Sequence, residues 1–236
     1  MLIFSCVKLV TRPDPELLTR LVRQRQSVRA YLPKPVPDTL LRQVLISARR
    51  APSGSNLQPG AFLSIQGEAR QRLSNALIET WRNGQHEVDD DAFFPRPLPM
   101  TLRRRQAAAA QALYGALGIA REDRLQRDVQ FERNFRFFDA PVALLVTLPR
   151  DAGSAGFMDL GMALYGLMLA AQSHGLATCA IGAIASYPEL VRRSLQLEAH
   201  CAIACGLALG YADPAAPVNQ TKTTRCELEE FFRVIV

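Results

Sequence analysis

The sequence lacks most of the signatures by which a catalytic chain announces itself. No Cys-x-x-Cys pair occurs, the five cysteines are scattered and odd in number, and the three histidines lie far apart. That argues against zinc and against Cys/His nucleophile chemistry. Cys201 and Cys205, inside the apolar run HCAIACGLALGY, read as buried free thiols. No Gly-x-Gly-x-x-Gly follows a strand and no Gly-x-x-x-x-Gly-Lys-Ser/Thr exists, so neither the usual dinucleotide fold nor a P-loop is supported. Gly-x-Ser-x-Gly and His-Glu-x-x-His are absent too. Aromatic residues make up only 7% of the chain. With no recognisable DNA- or RNA-binding signature either, nucleic acid is not the expected partner. No apolar run approaches the roughly 18 residues that span a bilayer. The N-terminus, MLIFSCVKLVTRPDP, has no leading basic region and no small-residue cleavage site, so it makes a poor signal peptide. The expected setting is the cytoplasm, without membrane attachment.

What is present is a core and a basic excess. Of 236 residues, 48% are hydrophobic and 21% charged, a composition that folds. The net charge is +6, and the first fifty residues hold ten Lys or Arg against three acids. Such a bias suits an anionic ligand.

Periodicity predicts a helix from Asp14 to about Gln26, with Asp14 as N-cap and Pro15 at its first position. A second helix runs from Asp38 to before Pro52, with Leu41, Val44, Leu45 and Ala48 as its stripe. AFLSIQG reads as a short strand and Glu68 to about Arg82 as a third helix. Residues 83–100 form an irregular excursion, and 101–134 are helical with a break near Gly118. PVALLVTL is a buried strand. Phe157–His174 is the most apolar helix, placed at the centre of the fold and capped by Gly175. An apolar stretch at 176–184, a helix from Pro188 to Leu197, a strand at 200–211 and a polar tail follow. Helices and strands mingle with no composition shift, so the expectation is a single α+β domain over 1–236. Its most apolar helix and its tail both suggest a partner subunit.

Three segments could carry chemistry. RQRQSVRAY places Arg25, Ser27 and Arg29 at alternating positions after a helix, and residues two apart in an extended loop point the same way. Two guanidiniums and a hydroxyl can converge there on a dianionic oxygen cluster; a solvated basic helix end is the alternative. In Pro52-Ser53-Gly54-Ser55-Asn56-Leu57-Gln58-Pro59, small residues permit close backbone approach, and Ser53, Asn56 and Gln58 offer donors and acceptors to a planar heterocycle. An ordinary turn has the same composition. The stretch from Asn219 to Arg225 adds Lys222 and Arg225, which otherwise read as a solvated tail.

Together these segments resemble the FMN-dependent nitroreductase family, in its nitrobenzoate-reductase-like branch. The resemblance continues through FFDAPVALLV, MDLGMALYGLMLAAQSHGLATC and CGLALGYADPAAPVN. It implies a nitroreductase-like fold, with a central mixed or antiparallel sheet flanked by helices and a C-terminal arm (about 213–236) exchanged across a homodimer. It implies that Arg25, Gln26, Ser27, Arg29, Lys222 and Arg225 hold the FMN phosphate. Pro52, Ser53, Gly54, Asn56 and Gln58 of the second subunit would line the flavin. Gly182, Ala183 and Ile184 would pack on the ring and point a backbone N–H at its N5. Gln26 stands where the family often has a basic residue, and Gly60 where it commonly has Trp, so local space would open there. The implied activity is ping-pong hydride transfer from NAD(P)H to a nitroaromatic or quinone-type acceptor. No catalytic side chain is expected, because the flavin carries the chemistry. Two other readings stay open: an FMN oxidase or dehydrogenase of a heterocyclic biosynthetic substrate, and a non-catalytic flavin-binding module. The long insertion at about 83–135 would shape the acceptor pocket.

Overall fold

The computed structural model describes residues 14–87 and 97–235. The predicted irregular excursion falls partly outside them, as do Cys6 and the N-terminal run. In chain order the elements are α1 (Pro15–Gln24), α2 (Asp38–Ala48), β1 (Ala61–Ile65), α3 (Gly67–Arg82), α4 (Met100–Ala116), α5 (Arg124–Glu132), β2 (Val142–Pro149), α6 (Gly153–Ser173), β3 (Ala177–Ile181), α7 (Pro188–Leu195), β4 (Cys201–Gly210) and α8 (Leu228–Phe231). Asp14 caps α1 by accepting the Glu16 N–H. Gly175, at φ 72°, closes α6 in the left-handed conformation that favours glycine. The helix α6 begins four residues before the predicted start, because Gly153–Gly156 carry no apolar signal.

Among the described residues four strands form one sheet in the order β1-β2-β4-β3, with every neighbouring pair antiparallel. Successive side chains of a strand point to opposite faces, so β2 feeds two cores at once. Ala143 and Leu145 join Leu73 and Leu77 of α3 and Leu190 and Val191 of α7 on one face. Leu144, Val146 and Leu148 join Val44 of α2 and Leu160, Leu167 and Ala171 of α6 on the other. In β4 the parity changes midway: Ala202 and Ala204, then Leu207 and Leu209, all face α6. The register explains it. Val146 pairs with Cys205 but Thr147 with Ile203, so Ala204 is an extra residue that turns the rest of the strand over.

The most apolar helix is not enclosed, contrary to the sequence expectation. Only one stripe of α6 (Gly156, Asp159, Leu160, Leu167, Ala171) is buried on the sheet. Met158 and Tyr165 on its outer side are 64% and 44% exposed. The segment Arg150–Ser173 is also long and apolar enough, with a mean hydropathy of 1.3, to meet the length criterion for crossing a membrane. The sequence reading passed over it because Gly, Ser and Asp interrupt the run.

Gly210, the last residue of β4, permits a close contact between the loops and the sheet. A Cβ there would lie 2.5 and 2.7 Å from the Pro141 ring and 3.2 Å from Tyr31. A proline ring cannot rotate away. Gly210→Ala is expected to cost about 1–3 kcal/mol, the usual range for overpacking, read as a lower urea midpoint with unchanged m.

Candidate functional site

The chain leaves α1 at Arg25, whose φ and ψ of −61° and 124° are already extended. Ser27 then bridges to Thr178 in parallel, and the Val28 N–H donates to the Thr178 carbonyl at 3.1 Å. The segment thereby lies along β3 as a partial edge strand. Extended geometry sorts its side chains: Val28 is buried at 2% exposure, while Arg25, Ser27 and Arg29 are half-buried. All three lie close enough to act on one thiol. Burial pushes the Cys179 thiol up, opposed by the Arg29 charge, a Ser27 hydrogen bond and the Arg25 charge. Arg29 Nη1 donates to the Ser27 carbonyl at 3.3 Å. Among the described residues no carboxylate pairs with Arg25 or Arg29. Two half-buried guanidiniums and a hydroxyl, converging without a counter-charge of their own, have the chemistry of a phosphate cradle.

Asn219 fastens this segment from 190 residues away. Its side-chain oxygen accepts the backbone N–H groups of Arg29 (2.8 Å) and Ala30 (3.2 Å). Its amide nitrogen donates to the carbonyls of Ala30 and Asp213, both at 2.8 Å. The amide's capacity of two donors and two acceptors is filled. The Gln26 side chain donates to the Asn219 backbone carbonyl at 3.1 Å, so it faces away from Arg25 and Arg29. The tail therefore reaches the 25–29 segment through Asn219. Lys222 and Arg225, further along, are exposed, and Arg225 folds onto its own neighbours at the Thr223 hydroxyl and the Thr224 carbonyl (both 3.0 Å). Among the described residues no contact joins either to Arg25 or Arg29.

The 52–59 loop is placed elsewhere. It links α2 to β1, with three non-glycine residues at positive φ: Ser55 (49°), Asn56 (60°) and Gln58 (50°). Each such residue stores of order 1 kcal/mol or more, so the loop must be held. Two devices hold it. The Gly54 N–H donates to both carboxylate oxygens of Asp159 at 3.1 Å, and the Gln58 N–H donates to the Ser53 hydroxyl at 3.0 Å. Asp159, 5% exposed, is the lone charged residue of α6 and ties the loop to that helix. Pro52, Ser53, Gln58, Pro59 and Gly60 wall an open cleft of about 300 Å³ with Leu45, Leu160 and Ala163. On one side Gly60 stands close against α6. A Cβ there would lie 2.5 Å from Leu160 Cδ1, so the helix occupies that side.

Gly182–Ile184 form the turn that follows β3. The Ile184 side chain is fully buried against Gly206, where a Cβ would come within 2.4 Å of it. Only the backbone of Gly182 and Ala183, half-buried, remains available to a ligand.

The two halves of the predicted site thus sit at opposite edges of one sheet. Ser27 is bridged to the outer side of β3 and the 52–59 loop leads into β1, four strand spacings or about 19 Å away across the sheet. Along α6, fourteen residues or about 21 Å separate Asp159 from the C-terminus that feeds β3.

Sequence reasoning missed Asp159 and the bonding role of Asn219. A solitary acid in the most apolar helix was the available signal for the first. For the second there was none, since its partners are remote in sequence. Cys201 and Cys226 are half-buried, whereas Cys179 and Cys205 are the buried thiols, so the reading of Cys201 as buried is corrected. Burial pushes the Cys205 thiol up to about 12. Burial also raises Cys179, Tyr31 and Tyr187. Raised values mean that the folded chain holds these protons after the unfolded chain has released them. The associated stability is complete below about pH 9 and is lost as pH rises toward 12. Cys205 alone should cost about 2 kcal/mol at pH 10.5, being about 1.5 units past the ordinary thiol value. Urea midpoints at pH 8 and 10.5 check this, with a shallower loss expected in Cys205→Ala.

Among the described residues, a four-stranded antiparallel sheet lies between two helical layers, with a pair of uncountered guanidiniums at one edge and a strained polar loop at the other. The chain belongs to the nitroreductase family, which it matches over residues 22–211. It is 37% identical to the nitrobenzene nitroreductase of Ectopseudomonas oleovorans, over 93% of this chain and 97% of that protein. Among solved structures it is similar to the FMN- and NADPH-dependent nitroreductase NfnB from Sphigopyxis sp. strain HMH. The TM-score is 0.89 at 36% identity, covering 93% of this chain and 99% of that one. Against the FMN-dependent NfnB of Mycobacterium smegmatis, solved in complex with NADPH, the TM-score is 0.86 at 32% identity, with 94% and 99% covered. These matches bear out the expected α+β nitroreductase fold.

Proposed function

We propose that this chain, acting as one domain in a cytoplasmic homodimer, is an FMN-dependent oxidoreductase that takes electrons from NAD(P)H and delivers them to nitroaromatic or quinone-type acceptors. The observation that carries the reading is the separation of the two half-sites. A cradle beside β3 and a loop before β1 stand at opposite edges of the sheet within a protomer, and two copies related by a twofold axis would bring one protomer's loop to its partner's cradle. The uncovered side of α6, with Met158 and Tyr165, and the exposed Leu17 and Leu18 of α1, a helix that contacts α6, supply the apolar surface such a pairing needs.

Arg25, Arg29 and Ser27 bind the phosphate, and Asn219 holds their backbone in the extended form that points them together. Lys222 and Arg225 add charge to the same anion from the arm once it is ordered against the partner. Pro52, Ser53, Gly54, Asn56 and Gln58 line the ring from the second copy, in a loop fixed by Asp159. Buried Ile184 anchors the turn that presents the Gly182 and Ala183 backbone to the ring. When bound, FMN supplies the two-electron chemistry, so no acid–base pair is required of the protein. The net charge of +6 draws the anionic nicotinamide nucleotide toward the site.

The test is the visible spectrum of the purified protein incubated with FMN, followed by NADPH under nitrogen and then a nitroaromatic acceptor. A yellow protein that bleaches with NADPH and recovers colour with the acceptor is expected. Failure to take up FMN would sink the reading; a flavin inert to NADPH would turn it toward the oxidase.

A further inference from the structure

The helices between α3 and β2 build a second cavity that shares no residue with the flavin half-sites. Trp81 at the end of α3, Tyr114 near the end of α4, and Arg124, Arg127, Asp128 and Phe131 of α5 line an open pocket of about 370 Å³, with Arg124 and Asp128 at its exposed rim. That falls in the lower part of the roughly 300–1,000 Å³ typical of small-molecule sites. The cavity stands on the α3/α7 side of the sheet, opposite α6 and the 52–59 cleft.

Its walls are fixed. The Trp81 and Phe131 rings lie 5.4 Å apart at 33°, and both touch Phe135, which is fully buried. On the other side the Arg127 guanidinium sits 4.6 Å above the Tyr114 ring while Nη1 donates to the Arg121 carbonyl at 3.1 Å. Its polar edges are unspent. Among the described residues the Trp81 indole N–H, the Tyr114 hydroxyl, the Arg124 guanidinium and the Asp128 carboxylate have no hydrogen-bond or ion-pair partner. Two cations against one acid leave the cavity positive.

We propose that this cavity binds a planar aromatic ring that carries an anionic group. The ring packs against the aromatic wall formed by Trp81 and Phe131, and the anion takes charge-assisted bonds from Arg124 and Arg127. A cationic ligand is disfavoured because Arg127 already covers the Tyr114 face. An aliphatic acid would leave the aromatic walls unused. Two sources share the chemistry: an aromatic carboxylate, and the adenine 2′-phosphate end of a dinucleotide.

Trp81 is the only tryptophan of the chain, so its emission reports on this cavity directly. The FMN-loaded protein is titrated with benzoate and, separately, with adenosine 2′,5′-bisphosphate, against benzamide and adenosine as uncharged controls. Expected is a saturable change with at least one anionic probe, which names the source, and binding about tenfold weaker for its control. Calorimetry should show a loss of similar size in Arg127→Gln and in the exposed-site variant Arg124→Gln, each with the parent's circular dichroism. No saturable response to either probe overturns the proposal, as does undiminished binding in both folded variants. Failure of the flavin reading is distinguishable, because it would appear as absent FMN uptake while the same Trp81 titration, repeated on the flavin-free protein, still saturates.

Discussion

Arg29→Ala is expected to weaken FMN binding by about 10- to 150-fold, equivalent to roughly 1.5–3 kcal/mol for a hydrogen bond to a charged group. The loss is specific because the residue is otherwise idle. Its backbone is held by Asn219, its guanidinium donates only to the Ser27 carbonyl, and no carboxylate competes for it among the described residues. Removing the side chain beyond Cβ therefore leaves the extended segment in place. Arg29→Lys keeps the charge but loses the planar fork, so its affinity should fall between parent and alanine variant. Fluorescence titration of the flavin-free protein measures both. An unchanged affinity in Arg29→Ala would remove the phosphate assignment while leaving the fold untouched.

The sheet and its helices were legible because their signals are local. The unbroken apolar run of PVALLVTL marks a strand covered on both faces, and the three-to-four spacing of Leu41, Val44, Leu45 and Ala48 marks a helix. The bulge at Ala204 was not legible, since both sides of it are equally apolar and parity carries no contrast. Arg25, Ser27 and Arg29 were legible as a group because extended backbone puts alternate residues on one side, and the Ser27–Thr178 bridge imposes that backbone. What sequence reading could not supply was distance. Nothing in Pro52–Pro59 says that the loop lies at the far edge of the sheet from Ser27. The exposure of α6 was misjudged for a related reason: apolarity all round a helix is the same signal whether the other side meets the same chain or a second copy.

Loss of Asn219 should be felt by the fold and the ligand together. In Asn219→Ala the N–H groups of Arg29 and Ala30 lose their shared acceptor, and two carbonyls lose their donor. At roughly 1 kcal/mol or more for each partner left unmet, a destabilisation of about 2–4 kcal/mol is expected in urea. FMN affinity should fall as well, because Arg29 is no longer held beside Ser27. Two truncations separate this staple from the arm. A chain ending at Gln220 keeps Asn219 and should hold its thermal midpoint near the parent's. It loses Lys222, Arg225, the Arg105–Glu230 ion pair at 2.6 Å and the exposed Phe231 and Phe232, so weaker dimerisation and weaker FMN retention are expected. A chain ending at Ala212 loses Asn219 too and should neither retain flavin nor sediment as a dimer. An intact yellow dimer from the shorter chain would contradict both the arm exchange and the staple. The same result from the Gln220 chain alone would confine the binding role to Asn219 and return Lys222 and Arg225 to solvent.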